Sequence, residues 1–232
     1  MKIAIVTRSD DNIKEMSQLT HPFMKKYANM CNADFILLDQ DPIIWTQDNK
    51  PHYRILKCKD LLNKYDRIAI LDTDMLVLSN CPNIFDEVPY DCIGSIFEDR
   101  GTKKNDRLDR INAIQNKWGD IGWREGYTNA GTFIVSGCHS NIFDAYKGQY
   151  WLDNGSVDLH LSYLIRKNKY KIHELSYKWN HMTMFSENWN SCADRFESYI
   201  IHYAGRGIFD RNVKTRCEQI KKDIKKHMDS IR

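Results

Sequence analysis

Several familiar features are missing from this chain of 232 residues, and each absence narrows the reading. No apolar run approaches the roughly 20 residues of a membrane span. The run near the start, Ile3 to Val6, is too short for a signal-peptide core and reads as a first strand. No Gly-x-Gly-x-x-Gly follows that run and no Gly-x-x-x-x-Gly-Lys-Ser/Thr occurs, so dinucleotide and P-loop readings lose their main support. A bound phosphate would have to be held by a metal and by side chains. The seven cysteines are odd in number and form no Cys-x-x-Cys pair, which argues against a disulfide frame or a zinc site. Reduced thiols suit a cytosol-like compartment, and the expected location is cytoplasmic. Excess charge of one sign is also missing from most of the chain. Residues 211–232 carry eight Lys/Arg against three Asp/Glu, which leaves the preceding 210 residues at −2 of the total +3. Generic nucleic-acid binding is therefore not expected.

What is present is a 42% hydrophobic chain long enough for one large domain with a sizeable core. Its centre of gravity is Tyr65-Asp66-Arg67-Ile68-Ala69-Ile70-Leu71-Asp72-Thr73-Asp74-Met75-Leu76-Val77-Leu78. Ile68 to Leu71 reads as a buried strand. It ends in two carboxylates one residue apart, which an extended backbone points to the same side. Such a pair repels unless a cation or proton lies between them. Hard divalent cations prefer oxygen ligands, and Mg²⁺ or Mn²⁺ usually keep positions open for substrate phosphates. Asp72 and Asp74 are thus candidate metal ligands and, with Thr73 between them, part of a diphosphate site. A capped turn after a core strand is the plainer alternative.

Around this stretch the patterning is that of an α/β domain. Ile3 to Thr7 is a strand, and apolar residues at helical spacing predict a helix from Ile13 to Cys31, interrupted or kinked at Pro22. Asp34 to Asp39 is a second strand, which completes a parallel crossover unit. In such sheets ligands bind beyond the carboxyl ends of the strands. Thr7 and Asp39 lie there, and Asp39 either holds a ribose hydroxyl or base edge or caps the loop that follows. Asp41 to Pro51 is expected to be a loop, and His52 to Lys64 a helix with Arg54 and Lys57 on one face. Ile84 to Asp86 starts a short helical turn, Asp91 to Ile96 is a strand, and Glu98 to Asn105 reads as polar and mobile. A short amphipathic helix covers Leu108 to Trp118.

Two further stretches are distinctive. In Tyr127-Thr128-Asn129-Ala130-Gly131-Thr132, a small-residue turn opens directly into a strand that runs on to Ser136. Gly131 allows close backbone approach, and the amide of Asn129 suits a sugar hydroxyl. Phe143 to Tyr150 reads as helical. A turn from Trp151 to Asp158 leads into a helix ending near Asn168, with Asp158 in its first turn, where the dipole favours a carboxylate. Tyr170 to Leu175 is a short strand, followed by Trp179 and Asn180. The third stretch, Tyr199 to Gly207, is an apolar strand ending in His202, then a turn with Gly205 and Arg206, whose backbone and guanidinium suit a phosphate. An imidazole meeting the acid pair would give mixed N/O ligation, which suits Mn²⁺. Val213, Cys217, Ile220, Ile224, Met228 and Ile231 form one stripe of a basic C-terminal helix, expected to pack on the body. Peripheral contact with an anionic membrane is the alternative.

Taken in order, "YDRIAILDTDMLVL", "TNAGTFIVS", "LSYKWN" and "IIHYAGRG" resemble the glycogenin and lipopolysaccharide galactosyltransferase family of nucleotide-sugar glycosyltransferases over residues 1 to about 207. The resemblance implies the glycosyltransferase A fold, a Rossmann-like α/β fold with a mixed, mostly parallel sheet flanked by helices. It would occupy residues 1–210, with a nucleotide-binding half over 1–100 and an acceptor half over 101–210. It implies Mn²⁺ (or Mg²⁺) on Asp72, Asp74 and His202 bridging a donor diphosphate, a phosphate contact from Lys57 with Arg54 in reserve, and Asn129, in its Asn129-Ala130-Gly131 turn, facing the sugar. Two departures stand out. The family's Asp-Gln before the late helix is Ser156-Val157-Asp158 here, and its Lys-Pro-Trp after His-x-x-Gly is absent, leaving Arg206 to take that charge.

The expected activity is transfer of a hexose from a nucleotide diphosphate, UDP by preference, to a hydroxyl of a glycan or another acceptor. The cation acts as Lewis acid on the leaving diphosphate. An inverting reaction needs a carboxylate base, for which Asp158 is the first candidate and Asp153 the second; in a retaining one the leaving phosphate could itself assist and neither acid is essential. Two alternatives are a haloacid-dehalogenase-like phosphatase, which also uses Asp-x-Asp after a strand but usually near the N-terminus, and a catalytically silent nucleotide-sugar-binding module.

Overall fold

Alternation within the apolar runs decides how the strands sit. Ala4 and Val6 are buried on one side of the first strand and Ile5 on the other; Ile68 and Ile70 oppose Ala69 and Leu71 in the same way, as do Phe133 and Val135 against Ile134. Both faces must therefore be covered, which requires helices above and below a sheet. A computed structural model, which describes residues 1–39 and 52–230, has this architecture. In chain order the elements are β1 (Ile3–Arg8), α1 (Lys14–Met30), β2 (Asp34–Leu38), α2 (Cys58–Leu61), β3 (Arg67–Leu71), β4 (Met75–Val77), α3 (Ile84–Glu87), β5 (Cys92–Phe97), α4 (Lys104–Trp118), β6 (Thr128–Ser136), α5 (Ser156–Lys167), β7 (Lys171–Glu174), β8 (Ile200–His202) and α6 (Arg216–Ser230).

Six strands form one mixed, mostly parallel sheet in the order β2-β1-β3-β6-β5-β7, with β6 antiparallel to both its neighbours. One face packs on α4 and α5 through Ile111, Ile114, Leu159 and Tyr163. The other packs on α1 and on Trp179 and Phe85 through Met24, Tyr27 and Ala28. β4 and β8 leave this sheet and pair with each other, Met75 opposite His202. Their outer side chains Leu76 and Ile201, with Leu78 and Tyr203 just past their ends, join Met16 of α1 and Ile220 of α6 in a third apolar cluster. The ribbon is thus clamped against the sheet, and α6 packs on the body through Cys217, Ile220 and Ile224 of the predicted stripe, with Ile220 fully buried; Val213 precedes the helix and Met228 is exposed.

Some expectations need correction. α1 runs through Pro22 without a break; a missing N–H forfeits one helical bond, and Met24, Tyr27 and Ala28 beyond it are anchored in the core. Residues 52–64 are a 3₁₀ turn (His52–Lys57) followed by the single turn of α2, not one helix. Phe143 to Tyr150 is not helical. The helical turn lies earlier, Gly137–Phe143, and Tyr146 pairs with Gln149 in a tight reversal. Glu98 and Asp99 are buried, because Asp99 accepts the N–H groups of Gly126 and Tyr127 and Glu98 is held by Asn129 and Arg107. The predicted loop from Asp41 to Pro51 lies outside the described residues, as does Ile231. The seven cysteines are all free, and among the described residues no helix is long and apolar enough to cross a membrane.

Three buried histidines set the acid response of this fold. Burial pushes His21, His160 and His181 down to about 4 from the ordinary 6.5. They are neutral in the folded chain near pH 5, where the unfolded chain protonates them, so stability is lost as pH falls from about 6.5 to 4. Each contributes up to about 1.4 kcal/mol per pH unit in that window. Asp158, raised by burial to about 7, is protonated in the folded chain through this window and not in the unfolded one, so it offsets one of the three. His202, shifted upward, acts only above about 6.5, where its contribution is lost as pH rises. The urea midpoint is expected to fall clearly between pH 7 and pH 5; a midpoint unchanged over that interval would contradict this assignment.

Candidate metal and diphosphate site

The acid pair occupies the turn where the chain leaves the main sheet for the ribbon, and backbone bonds pin that turn from both sides. The Asp72 N–H donates to the Gly131 carbonyl of β6 at 2.8 Å, and the Asp74 carbonyl accepts from the Tyr203 N–H beyond β8 at 2.9 Å. Thr73 is buried between them. Its hydroxyl donates to the Arg8 carbonyl, and its carbonyl accepts from the Thr20 hydroxyl at 2.6 Å. Strands distant in sequence therefore fix the spacing of the two carboxylates.

His202 closes the site. Its Nε2 lies 3.2 Å from Asp74 Oδ1 and 3.7 Å from Asp72 Oδ2, and one ligand atom from each of the three residues falls within 4.8 Å of the others. Metal bonds of about 2.1 Å place neighbouring ligands about 3 Å apart and opposite ones about 4.2 Å apart, so the 3.2 and 3.7 Å separations between imidazole and carboxylates fit one shared ion. His202 Nδ1 donates to Asn180 Oδ1 at 2.7 Å, which leaves Nε2 directed at the acids. Asn180 Nδ2 then donates to Asn129 Oδ1 at 2.7 Å, Asn129 Nδ2 donates to Glu98, and Glu98 accepts from Arg107. Gly131 is required beneath this chain. A Cβ there would lie 2.8 Å from His202 Cε1 and 2.7 Å from Asn129 Oδ1.

Each carboxylate divides its oxygens. The inner ones face His202, while the outer ones accept from arginines: Asp72 Oδ1 from Arg8, and Asp74 Oδ2 from Arg216 at 2.8 Å. Burial works against the charge of Asp74, but His202, Arg216 and Arg8 outweigh it and hold the acid well below the carboxylate range. Burial likewise opposes a charge on His202, and Asp74 and Asp72 outweigh it, raising the imidazole.

The structure gathers some of the predicted residues and leaves others aside. Thr7 is buried at the end of β1, and its hydroxyl has no partner among the described residues. Asp39 is exposed just past β2. Arg54 is buried and paired with Asp10 at 2.9 Å, and Lys57 is half-buried in the same 3₁₀ turn; neither touches the acid pair in any contact described for it. Asn129, expected to face a sugar, has its amide committed to Gly131, Asn180 and Glu98. The Ala130 N–H donates to Asp158 Oδ1 at 3.0 Å. Burial, with Glu98 and Asp72 nearby, pushes Asp158 up to about 7. Asp153 sits on the surface, paired with Lys117 at 2.6 Å and away from the acids. Gly205, with a φ of 65°, and exposed Arg206 line a cavity that begins just beyond His202.

Sequence reasoning missed Arg8, Arg216 and the positioning role of Asn180. The first was legible, since it directly follows Thr7 at a strand end. Arg216 carries no local signal, because only the packing of α6 on α1 brings it to Asp74.

No protein-family model matches the sequence, and no curated protein matches it. Solved structures do. The chain is similar to a glycosyltransferase involved in the glycosylation of the major capsid of PBCV-1, at 13% identity over 95% of this chain and 100% of that one, with a TM-score of 0.63. It is similar to the galactosyltransferase LgtC in complex with donor and acceptor sugar analogues, at 15% identity over 94% of each chain and a TM-score of 0.58. It is also similar to the bifunctional glycosyltransferase WbbM, at 14% identity over 88% of this chain, with a TM-score of 0.61. The fold is the glycosyltransferase A fold. The chain spans about half of WbbM, 46% of its length, and nearly all of the other two. Within the glycosyltransferase A fold of this chain, the acid pair stands at the carboxyl end of β3, the central parallel strand next to antiparallel β6.

The link from Asn180 to His202 has a measurable consequence. Asn180→Ala is expected to weaken Mn²⁺ binding by about 10- to 100-fold, as loss of an outer-shell partner typically does, and to lower stability by about 1–3 kcal/mol through the unpaired Asn129. Titration of Mn²⁺ followed by electron paramagnetic resonance measures the first effect. Unchanged Mn²⁺ affinity would show that Asn180 does not orient the imidazole.

Proposed function

We propose that this chain transfers a hexose from a nucleotide diphosphate sugar, UDP-hexose by preference, to a hydroxyl acceptor, with a divalent cation, Mn²⁺ before Mg²⁺, at Asp72, Asp74 and His202. The observation that carries this reading is the convergence of two carboxylates and one imidazole within 4.8 Å at the strand end of a glycosyltransferase A fold. LgtC was solved with donor and acceptor sugar analogues, which supports the same two-substrate arrangement here. The bound cation supplies Lewis-acid stabilisation of the leaving diphosphate.

The chain's own residues do the rest in this reading. Asn180 keeps Nε2 of His202 aimed inward. Arg8 and Arg216 hold the outer carboxylate oxygens and bring two fixed positive charges to the place where diphosphate charge develops. Thr7 offers a buried, unpaired hydroxyl to the nucleoside, and Asp39 lies past the adjacent strand end. The backbone at Gly205 and the Arg206 guanidinium close over the phosphates, while Lys57 and Arg54 support the neighbouring wall. Asn129 acts by positioning, through Asn180, in place of direct sugar contact. Asp158, raised to about 7 and bonded to Ala130, is suited to take a proton from the acceptor hydroxyl near neutral pH. Residues 1–100 form the donor half and 101–210 the acceptor half, with α6 completing the donor side through Arg216.

The phosphatase alternative finds no counterpart in the glycosyltransferase A fold, and the silent-module alternative is separated by turnover. Hydrolysis of UDP-sugar is expected with Mn²⁺, to stop with EDTA, and to fall by at least about 100-fold in Asp74→Ala, a loss of roughly 3 kcal/mol of transition-state stabilisation. Activity that survives both EDTA and Asp74→Ala would remove the metal role. Binding of UDP-sugar with no turnover on any acceptor would favour the silent module.

A further inference from the structure

We propose that the cleft beyond His202 receives an acceptor saccharide that carries an anionic group, a phosphate or a carboxylate; this rests on the glycosyl-transfer reading above. The cleft has a volume of about 750 Å³ and takes its walls from three separate parts of the chain: the stretch from Glu98 to Arg107 that joins β5 to the start of α4, the turn around Met182–Met184, and the segment between β8 and α6. Glu98 on its wall is the far end of the hydrogen-bond chain that begins at His202, so the cleft adjoins the acid pair.

Its charge is one-sided. Lys103, Arg206, Arg211 and Lys214 line it, and none has a side-chain ion pair among the described residues. The one acid on its wall, Glu98, is neutralised by Arg107, with its carboxylate 2.5 Å from the guanidinium. The donor does not account for this excess. Asp72 and Asp74 are balanced by Arg8 and Arg216, and a divalent cation balances the two charges of a diphosphate. If Arg206 is assigned to the donor, Lys103, Arg211 and Lys214 still face the cleft without a counter-charge. Exposed cations on a convex surface are ordinarily just solvated. Here they converge on a concavity floored by Met182, Met184, Ile208 and Val213, where a one-sign wall focuses potential on whatever enters. An apolar floor suits the face of a sugar ring, and the cationic rim suits its charged substituent.

Calorimetry on the full chain tests this. Protein is first titrated with UDP in the presence of Mn²⁺, and the saturated complex is then titrated with glucose, glucose 6-phosphate, glucuronate and inorganic phosphate. At least one charged sugar is expected to bind on the order of tenfold tighter than glucose, and the tighter of the two names the anionic group. Inorganic phosphate is expected to bind more weakly than glucose 6-phosphate. The double variant Arg211→Gln/Lys214→Gln, altered only at exposed side chains, is expected to bind UDP as the parent chain does and to lose the preference for charge. Charged and neutral sugars binding alike, or a preference that survives in the double variant, would overturn the proposal. So would inorganic phosphate binding as tightly as glucose 6-phosphate, which would mark a bare-anion site. UDP affinity falling together with the preference would assign these cations to the donor. Failure of UDP to bind at all appears in the first titration and overturns the parent reading, and the acceptor assignment with it.

Discussion

Two carboxylates held one residue apart at a strand end are the constraint on which the rest depends. With oxygens within 4.8 Å, their mutual repulsion is on the order of 3–4 kcal/mol at an effective dielectric near 20. A turn with this defect persists only if other groups answer the charge. Here three do: Arg8 from the end of β1, Arg216 from α6, and His202 from β8. The division of labour matters as much as the count. The arginines take the outer oxygens, so the inner ones remain directed at the imidazole. A cation entering there would meet three prepared ligands and would not have to displace either arginine.

This arrangement explains the small ribbon beside the main sheet. Were β8 another strand of the large sheet, His202 would be separated from the acids by the width of intervening strands. Pairing β4 with β8 places Met75 opposite His202 and brings the imidazole back over the turn that β4 has just left. Apolar packing of Leu76, Ile201, Tyr203 and Ile220 stabilises that placement, and the His202–Asn180–Asn129–Glu98 chain fixes the ring's orientation. The basic C-terminal helix, which composition alone marks as an appendage, is thereby part of the site, since its first residue pairs with Asp74.

The sequence was informative where the signal is local. The alternating apolar runs locate the strands, the β1-α1-β2 spacing gives a parallel crossover, and the Asp-x-Asp at a strand end points to the site. It was misleading where tertiary contacts override local character. Glu98 and Asp99 look like part of a solvated loop, yet they are buried because backbone N–H groups, an amide and a guanidinium satisfy them. Asn129 looks like a free amide beside a glycine, yet its partners are Glu98, just past β5, and Asn180, in the turn after β7. Arg54 and Lys57 were natural cation candidates because they precede β3 in the chain. The cations at the acids are Arg8 at the end of β1 and Arg216, 142 residues beyond Asp74, across the α1–α6 packing. Charge partners at such separations leave no periodic trace in a single sequence.

The central claim is that Asp72, Asp74 and His202 share one ion. Anomalous diffraction at the manganese edge, from crystals soaked with Mn²⁺ and UDP, tests it most directly. The account predicts one peak within about 2.5 Å of an inner oxygen of each acid and of His202 Nε2. A manganese peak that leaves His202 uncoordinated, or none between the two carboxylates, would contradict it.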